Sequence, residues 1–485
     1  MLKYRDSIQM ELNFSGSQQN IFRERIQNGE FQILAEIHSP SADTKLEHAL
    51  QRNNDYAYVT AASKIPASLA LIQTESPVDI MDPVQFLGEL TKDNASAHLL
   101  YLPGRNSDVN QAVAKAKHAL SHGIKNICAV SGSVEDGAEL QQIQQTFFLE
   151  SVNTLHALKE SGEEELFCGA TLNPYKYTPC DSSIQYFKAV KKVNCGAQFL
   201  VTQLGWDMMK LQEVQWNLWR RNINIPVFAR LLYLTPETAA DLCAGKMRGI
   251  HLSPDVEVLF RKELQYNSVQ FQAVQFARLQ LHILGAKMLG FSGVQIAGID
   301  SPEILERILH RAQADLRENM SFEDWYEAYR SAYDRLNLAP YPYRYYLFND
   351  LLKSAQPPED FALSNASVPP CTQKELLRKR LGELLFSHAG ELPPGERKLT
   401  KKFLFSCRSC EKCRLPQTLY LCPEVCPKGM SNGPCGSSKP DGSCPFRDME
   451  CIFSTQMRLA DACGEYEKLE NEYIETTGSR PLTIG

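Results

Sequence analysis

Along the chain, short apolar runs rich in β-branched residues alternate with longer stretches in which apolar residues recur every three or four positions. That alternation of periods predicts repeated strand–helix units and a parallel sheet. Eight runs read as strands: FQILAEI (31–37), YAYVTA (56–61), AHLLYL (97–102), KNICAV (125–130), LFCGATL (166–172), AQFLVTQ (197–203), IPVFARLL (225–232) and GVQIAGI (293–299). Between them, DPVQFLGELTKD (82–93) and VNQAVAKAKHALSHG (109–123) read as helices, the second closing on Lys, His and Gly as a helix C-terminus does. Eight such units, with no GxGxxG at a strand-to-helix turn, predict an α/β fold of the closed (β/α)8 TIM-barrel kind over an open doubly wound sheet.

Beyond the eighth unit the pattern changes. The tyrosine-rich DWYEAYRSAYDRLNLAPYPYRYYLF (324–348) reads as a helix packing aromatics onto the barrel. SAQPPEDFALSNASVPPCT (354–372) has no period and reads as a linker, and QKELLRKRLGELLFSH (373–388) as a short helix. The expected organisation is an N-terminal extension (1–20), a barrel (21–350), a linker with its helix (351–400), a cysteine-rich module (401–463) and a Glu-rich helical tail fading into a polar end (464–485).

Composition narrows the function classes. The 485 residues are 43% hydrophobic and 22% charged, as in globular proteins, and the net charge of −6 offers no broad basic surface for a nucleic-acid backbone. The charged N-terminus does not resemble a secretory signal, and no apolar run approaches the roughly 18 residues of a membrane span, so the expectation is a cytoplasmic protein. Fifteen cysteines are present, and eight of them fall between Cys407 and Cys451. In a chain without export signals such density reads as a metal framework before a disulfide one. Cys407, Cys410 and Cys413, spaced C-x2-C-x2-C, present thiolates from one tight loop as iron–sulfur ligands often are; paired C-x2-C knuckles are the usual zinc pattern. With Cys422, Cys426, Cys435, Cys444 and Cys451 they can fill two four-thiolate sites, for [4Fe–4S] clusters or zinc, and the sequence does not divide them. Cys463 reads as a bystander, and Cys128, Cys168, Cys180, Cys195 and Cys243 as small core residues.

AEIHSP on the first strand, VTAAS, AHL, GATLNP, CGAQFLVTQLGWD on the sixth, and LCPEVCPKGMSNGPCG (421–436) together resemble the methylenetetrahydrofolate reductase family, in the form joined to the cysteine-rich module of acetogenic and other anaerobic bacteria. The resemblance implies FAD at the C-terminal face of the barrel and reduction of methylenetetrahydrofolate to the methyl form. It makes Glu36 the acid that protonates the folate ring nitrogen, and Gln203 the amide that meets the pterin. Flavin contacts fall to Thr60, His98, Gly132, Ser133, Ala170, Asn173 and Lys192. Glu36, Thr60, His98 and Gln203 are all expected at C-terminal strand ends, where barrel chemistry sits. Apolar neighbours around Glu36 should raise its pKa toward the range of a general acid.

The chain departs from the family pattern after the fourth strand. AVSGSVEDG puts Ser133 where an aspartate is usual, with Glu135 and Asp136 as displaced candidates, and Leu172 and Lys176 stand where the better-known branch has tyrosine and histidine. The leading expectation is a homo-oligomeric flavoenzyme of one-carbon metabolism whose module passes electrons from ferredoxin or another carrier, with NAD(P)H as the alternative reductant. The alternative function is a folate- or corrinoid-associated barrel whose metal module docks a partner methyltransferase.

Overall fold

Side chains alternate across a strand, and here both faces of the alternation are largely apolar, so the sheet must be covered outside and filled inside. The computed structural model describes residues 19–40, 46–73, 81–92, 94–133, 138–247, 249–318, 320–340, 342–388, 398–407 and 412–476. It meets both demands with eight parallel strands closed into a barrel, β1 pairing with β8. These are β1 (Gln32–His38), β2 (Ala67–Ile72), β3 (Leu99–Pro103), β4 (Asn126–Val130), β5 (Phe167–Leu172), β6 (Phe199–Thr202), β7 (Val227–Leu232) and β8 (Gly293–Ala297). The (β/α)8 barrel expected from the sequence is the fold.

The helices in chain order are α1 (Ile21–Gln27), α2 (Leu46–Ala62), α3 (Pro83–Thr91), α4 (Val109–Ser121), α5 (Leu140–Gln145), α6 (Ser151–Glu160), α7 (Pro179–Asn194), α8 (Met208–Arg220) and α9 (Pro236–Cys243). They continue with α10 (Pro254–Glu263), α11 (Ser268–Met288), α12 (Pro302–Asp315), α13 (Phe322–Ala332), α14 (Gln373–Phe386), α15 (Lys398–Phe405), α16 (Ile452–Cys463) and α17 (Tyr466–Glu470). Outward strand residues such as Ile33, Leu69, Ile127, Leu200 and Val294 join the helices in the main core. Inward residues form a second core of Leu34, Ala70, Leu99, Tyr101, Cys128, Phe167, Phe199, Val201 and Phe228, closed from below by Phe22 of α1. The Phe22 ring stacks on Phe228 at 5.4 Å and meets Phe199 edge-on at 5.8 Å. Gly169 makes room for that packing, since a Cβ there would lie 2.3 Å from the Phe199 ring. The five scattered cysteines expected in the core, Cys128, Cys168, Cys180, Cys195 and Cys243, are all buried.

One strand was misplaced by the sequence pattern. Residues 56–61 lie inside α2, whose buried positions Ala49, Asn53, Tyr56 and Thr60 follow helical spacing, and the second strand is ASLALI (Ala67–Ile72). The tyrosine-rich stretch is helical only through Ala332. Asp334 and Arg335 turn with positive φ, and the chain then runs irregularly, delivering Tyr345 and Tyr346 to within 5.7 and 5.0 Å of the buried Lys210 ammonium. The segment after Cys463 is no loose end in its described part: Tyr466 stacks on Phe187 of α7, and Ile474 is buried. Residues 1–18, Glu135, Asp136 and Cys410 lie outside the described residues.

Candidate active site at the barrel mouth

A polar side chain on the inner face of a barrel cannot reach bulk water, so it must find partners across the lumen. Glu36 sits near the C-terminal end of β1 and finds Arg230 of β7. The pair is bidentate: Arg230 Nε donates to Oε2 at 2.8 Å and Nη2 to Oε1 at 2.6 Å. Gln295, the β8 register partner of Arg230, donates to Glu36 Oε2 at 2.8 Å and accepts from the Tyr101 hydroxyl of β3 at 2.8 Å. Gln203, just past β6, accepts from Arg230 Nη1 at 3.1 Å and from the Leu204 N–H at 3.0 Å. Two residues that the sequence nominated, Glu36 and Gln203, thus meet on one guanidinium.

The electrostatics differ from expectation at Glu36. Burial pushes its carboxyl up, but the charge and hydrogen bonds of Arg230, then His38 and Gln295, carry it below the ordinary value. Desolvation alone would raise the value, and the Arg230 counter-charge reverses it. Arg230 is itself raised despite burial, chiefly by Glu36. Tyr101 and Cys128 are both raised by burial and therefore neutral. Arg230, Gln295 and Tyr101 were missed in the sequence. The available signal was a polar residue at the inward period-two position of an otherwise apolar strand.

The residues nominated for flavin scatter. Thr60 is on α2, not a strand end, and its hydroxyl bonds the Ala57 carbonyl. His98 precedes β3, at the N-terminal end of the barrel, where Nδ1 accepts the Leu69 N–H at 2.9 Å and Nε2 meets Asn94 Oδ1 at 3.3 Å. Burial, then Arg25, lowers its pKa to about 3. Ala170 packs outward among the helices. Lys192 of α7 donates to the Thr171 carbonyl, and burial, then Lys188, lowers its pKa to about 7. The Gly132 carbonyl accepts from Lys428 Nζ at 2.7 Å, and Asn173 Nδ2 donates to the Gly436 carbonyl at 2.6 Å, so both engage the cysteine-rich module. Ser133 lies exposed beside Gly132. These seven residues do not form a common cradle for FAD. A cavity of about 30 Å³ lined by Tyr175, Leu204, Trp206, Asp207, His251 and Pro440 lies close by, with room for water but not for a tricyclic ring.

The module divides its cysteines in space. Burial raises Cys426, Cys444 and Cys451, and neighbouring thiols add to it: Cys435 and Cys444 act on Cys426, Cys435 on Cys444, and Cys426 and Cys435 on Cys451. Backbone N–H groups turn toward their sulfurs, from Lys428 and Met430 to Cys426, from Phe446 and Arg447 to Cys444, and from Phe453 to Cys451. Such amides favour thiolate over thiol, which suits a metal-binding set. Cys413 and Cys422 pack instead with Phe386, Phe405, Leu415 and Tyr420, and Cys413 is raised by burial and, to a smaller extent, by Cys407. Among the described residues, no group of three or more His, Cys, Asp or Glu side chains is arranged as a site for a metal ion.

Fold and site define a parallel α/β barrel with its ionised polar cluster at the C-terminal mouth and a cysteine-rich module packed against its β4–β5 side. A family model described as methylenetetrahydrofolate reductase matches residues 82–246, and one described as methylene-tetrahydrofolate reductase C terminal matches residues 391–478. Together they span just over half of the sequence, and the chain belongs to the methylenetetrahydrofolate reductase family. That places it among oxidoreductases of the methylenetetrahydrofolate reductase kind. No curated protein matches the chain. One solved structure similar to it is described as an uncharacterized protein from Clostridium thermocellum that binds two copies of 5-methyl-5,6,7,8-tetrahydrofolic acid. It is 13% identical, with a TM-score of 0.43, over 61% of this chain and 99% of its own. No helix among the described residues is long and apolar enough to cross a membrane.

Proposed function

We propose that the chain acts on a reduced folate at the barrel mouth, converting 5,10-methylenetetrahydrofolate to 5-methyltetrahydrofolate, with Gln203 orienting the pterin and Glu36 handling the proton at the ring nitrogen. The observation that carries this reading is the meeting of Glu36 and Gln203 on Arg230 at the C-terminal end of the strands. An amide offers a pterin edge both a donor and an acceptor. In the family reaction FAD supplies hydride; the residues nominated to hold it do not fit together here. The cysteine spacing of the module, from Cys407 to Cys451, suits iron–sulfur clusters or zinc, and clusters would make a one-electron carrier such as ferredoxin the reductant instead of NAD(P)H.

A second reading has one observation in its favour. Gly132, Asn173 and Lys176, on the loops after β4 and β5, are bonded to the module, Gly132 by its carbonyl to the Lys428 ammonium, and Asn173 and Lys176 to the Gly436 and Ser438 carbonyls at 2.6 and 2.7 Å. In that reading the barrel holds folate and the module docks a partner that does the chemistry. The test uses the full chain purified anaerobically, assayed for flavin, iron, sulfide and zinc, and then for folate reduction with reduced ferredoxin or NAD(P)H. Glu36→Gln should slow methyl formation roughly a hundredfold or more while folate still binds. Folate binding without turnover by either donor would favour the second reading, and no folate binding would overturn both.

A further inference from the structure

Among the described residues, Arg230 is the one side chain hydrogen-bonded to both residues to which the folate reading gives work. Its backbone N–H is fixed by Thr202 Oγ1 at 3.0 Å, and its guanidinium spends three donors on the mouth: two on Glu36 and one on the Gln203 carbonyl oxygen. The grip on Glu36 is planar and two-point, the geometry in which a guanidinium holds a carboxylate most firmly. The grip on Gln203 is a single, longer contact to a neutral acceptor. A ligand that competes for the amide therefore meets the weak end of the bridge first.

The surroundings leave Arg230 in control of the charge on Glu36. On its own strand His38 places Nε2 3.7 Å from Oε1, but that ring is 60% exposed to water. Of the facing strands, β8 gives the neutral Gln295. β3 and β4 give Tyr101 and Cys128, both held protonated by burial. β2 gives Ala70 and Ile72, which carry no charge. The buried full charge opposite Glu36 is the guanidinium.

We propose that Arg230 is a positioning residue that couples folate arrival at Gln203 to proton uptake by Glu36: at rest it holds Glu36 as a carboxylate, and a pterin that takes the Gln203 amide draws the guanidinium away. The proton comes from solvent water to a Glu36 carboxyl oxygen, and no electrons move. This rests on the reading that folate meets Gln203. It also removes a difficulty of that reading, because a carboxylate clamped by an arginine cannot serve as an acid until the clamp opens. Burial, no longer opposed, then favours the protonated form.

The experiment follows the Glu36 carboxyl by infrared difference spectroscopy on the full chain, from pH 3 to 9, with Glu36→Gln identifying the band. It is run with and without 5-methyltetrahydrofolate as the probe, and folate binding is measured separately by calorimetry. In the unliganded protein the carboxylate should persist below the ordinary glutamate midpoint. Arg230→Met, or Arg230→Gln if the first fails to fold, should move the midpoint up by roughly 2 pH units or more. Arg230→Lys should restore a low midpoint, since the cation and not the shape sets the charge. The probe should raise the midpoint in the wild type, and Gln203→Ala should abolish that rise while leaving the resting value in place. A resting midpoint indifferent to Arg230, or bound folate with no shift, overturns the coupling while the folate reading stands. Absence of folate binding in the calorimeter sinks that reading and the ligand arm with it. The comparison of the wild type with Arg230→Met still reads whether Arg230 holds the carboxylate.

Discussion

His98 and Glu36 are both buried, and their neighbours set their charge by different means. Glu36 stays ionised because a guanidinium faces it; His98 stays neutral because burial and Arg25 both act against its cation, and because Nδ1 is committed as an acceptor. With its folded pKa lowered to about 3 from an ordinary 6.5, His98 should show no imidazole titration between pH 5 and 8. Across the window from about 6.5 down to 3 the unfolded chain takes up a proton that the folded barrel refuses, so this residue lowers stability on acidification. His98→Ala strands the Leu69 N–H and should cost about 1–3 kcal/mol in urea unfolding, with folate affinity unchanged. A ring that titrates near 6.5, or folate affinity lost with the side chain, would contradict this placement at the barrel bottom.

At the scale of elements, what the sequence disclosed depended on whether one period or two competed. Seven strands stood out because each is a short apolar run between polar helices. The second did not: YAYVTA has the aromatic and β-branched content of a strand, but its neighbours repeat at helical spacing, while the real strand, ASLALI, holds only small residues, Leu and one Ile. The same limit hid half of the mouth. Glu36 and Gln203 lie at strand ends, where a polar residue draws notice. Arg230 and Gln295 lie within apolar runs, and only the alternation Phe228, Arg230, Leu232 and Gly293, Gln295, Ala297 marks them as inward. Closure of the barrel bottom by α1 left no legible trace, because one short amphipathic turn carries it. Phe22→Ala should open a cavity against Phe167, Phe199 and Phe228 and cost about 3–5 kcal/mol. Folate affinity should be unaffected, since the mouth lies at the other end; a mutant that keeps its stability would show that α1 is not the plug.

For the molecule as a whole, the open question is why the cysteine-rich module stays on the barrel, and the sequence could not answer it because most of the contacts are to backbone. Glu150, fully buried at the start of α6, accepts the N–H groups of Ser431 and Asn432 at 2.6 and 2.9 Å. It also pairs with Lys188 of α7 at 3.1 Å, and Lys188 donates to the carbonyls of Gly433 and Pro434. Burial pushes the Glu150 carboxyl up, but Lys188 and the two backbone donors carry it below its ordinary 4.5. A depressed folded value means that the clamp is at full strength above about 4.5 and is lost as pH falls through the lower folded value. Glu150→Gln leaves Lys188 without its counter-charge and should cost about 3–5 kcal/mol at pH 7. The gap in melting temperature between wild type and mutant should then close as pH falls from 5 toward 3, and amide exchange over 428–438 should rise in the mutant at neutral pH. A gap that stays constant across that range would mean that the carboxylate does not hold the module, and the docking would then rest on other contacts such as those of Asn173, Lys176 and Lys428.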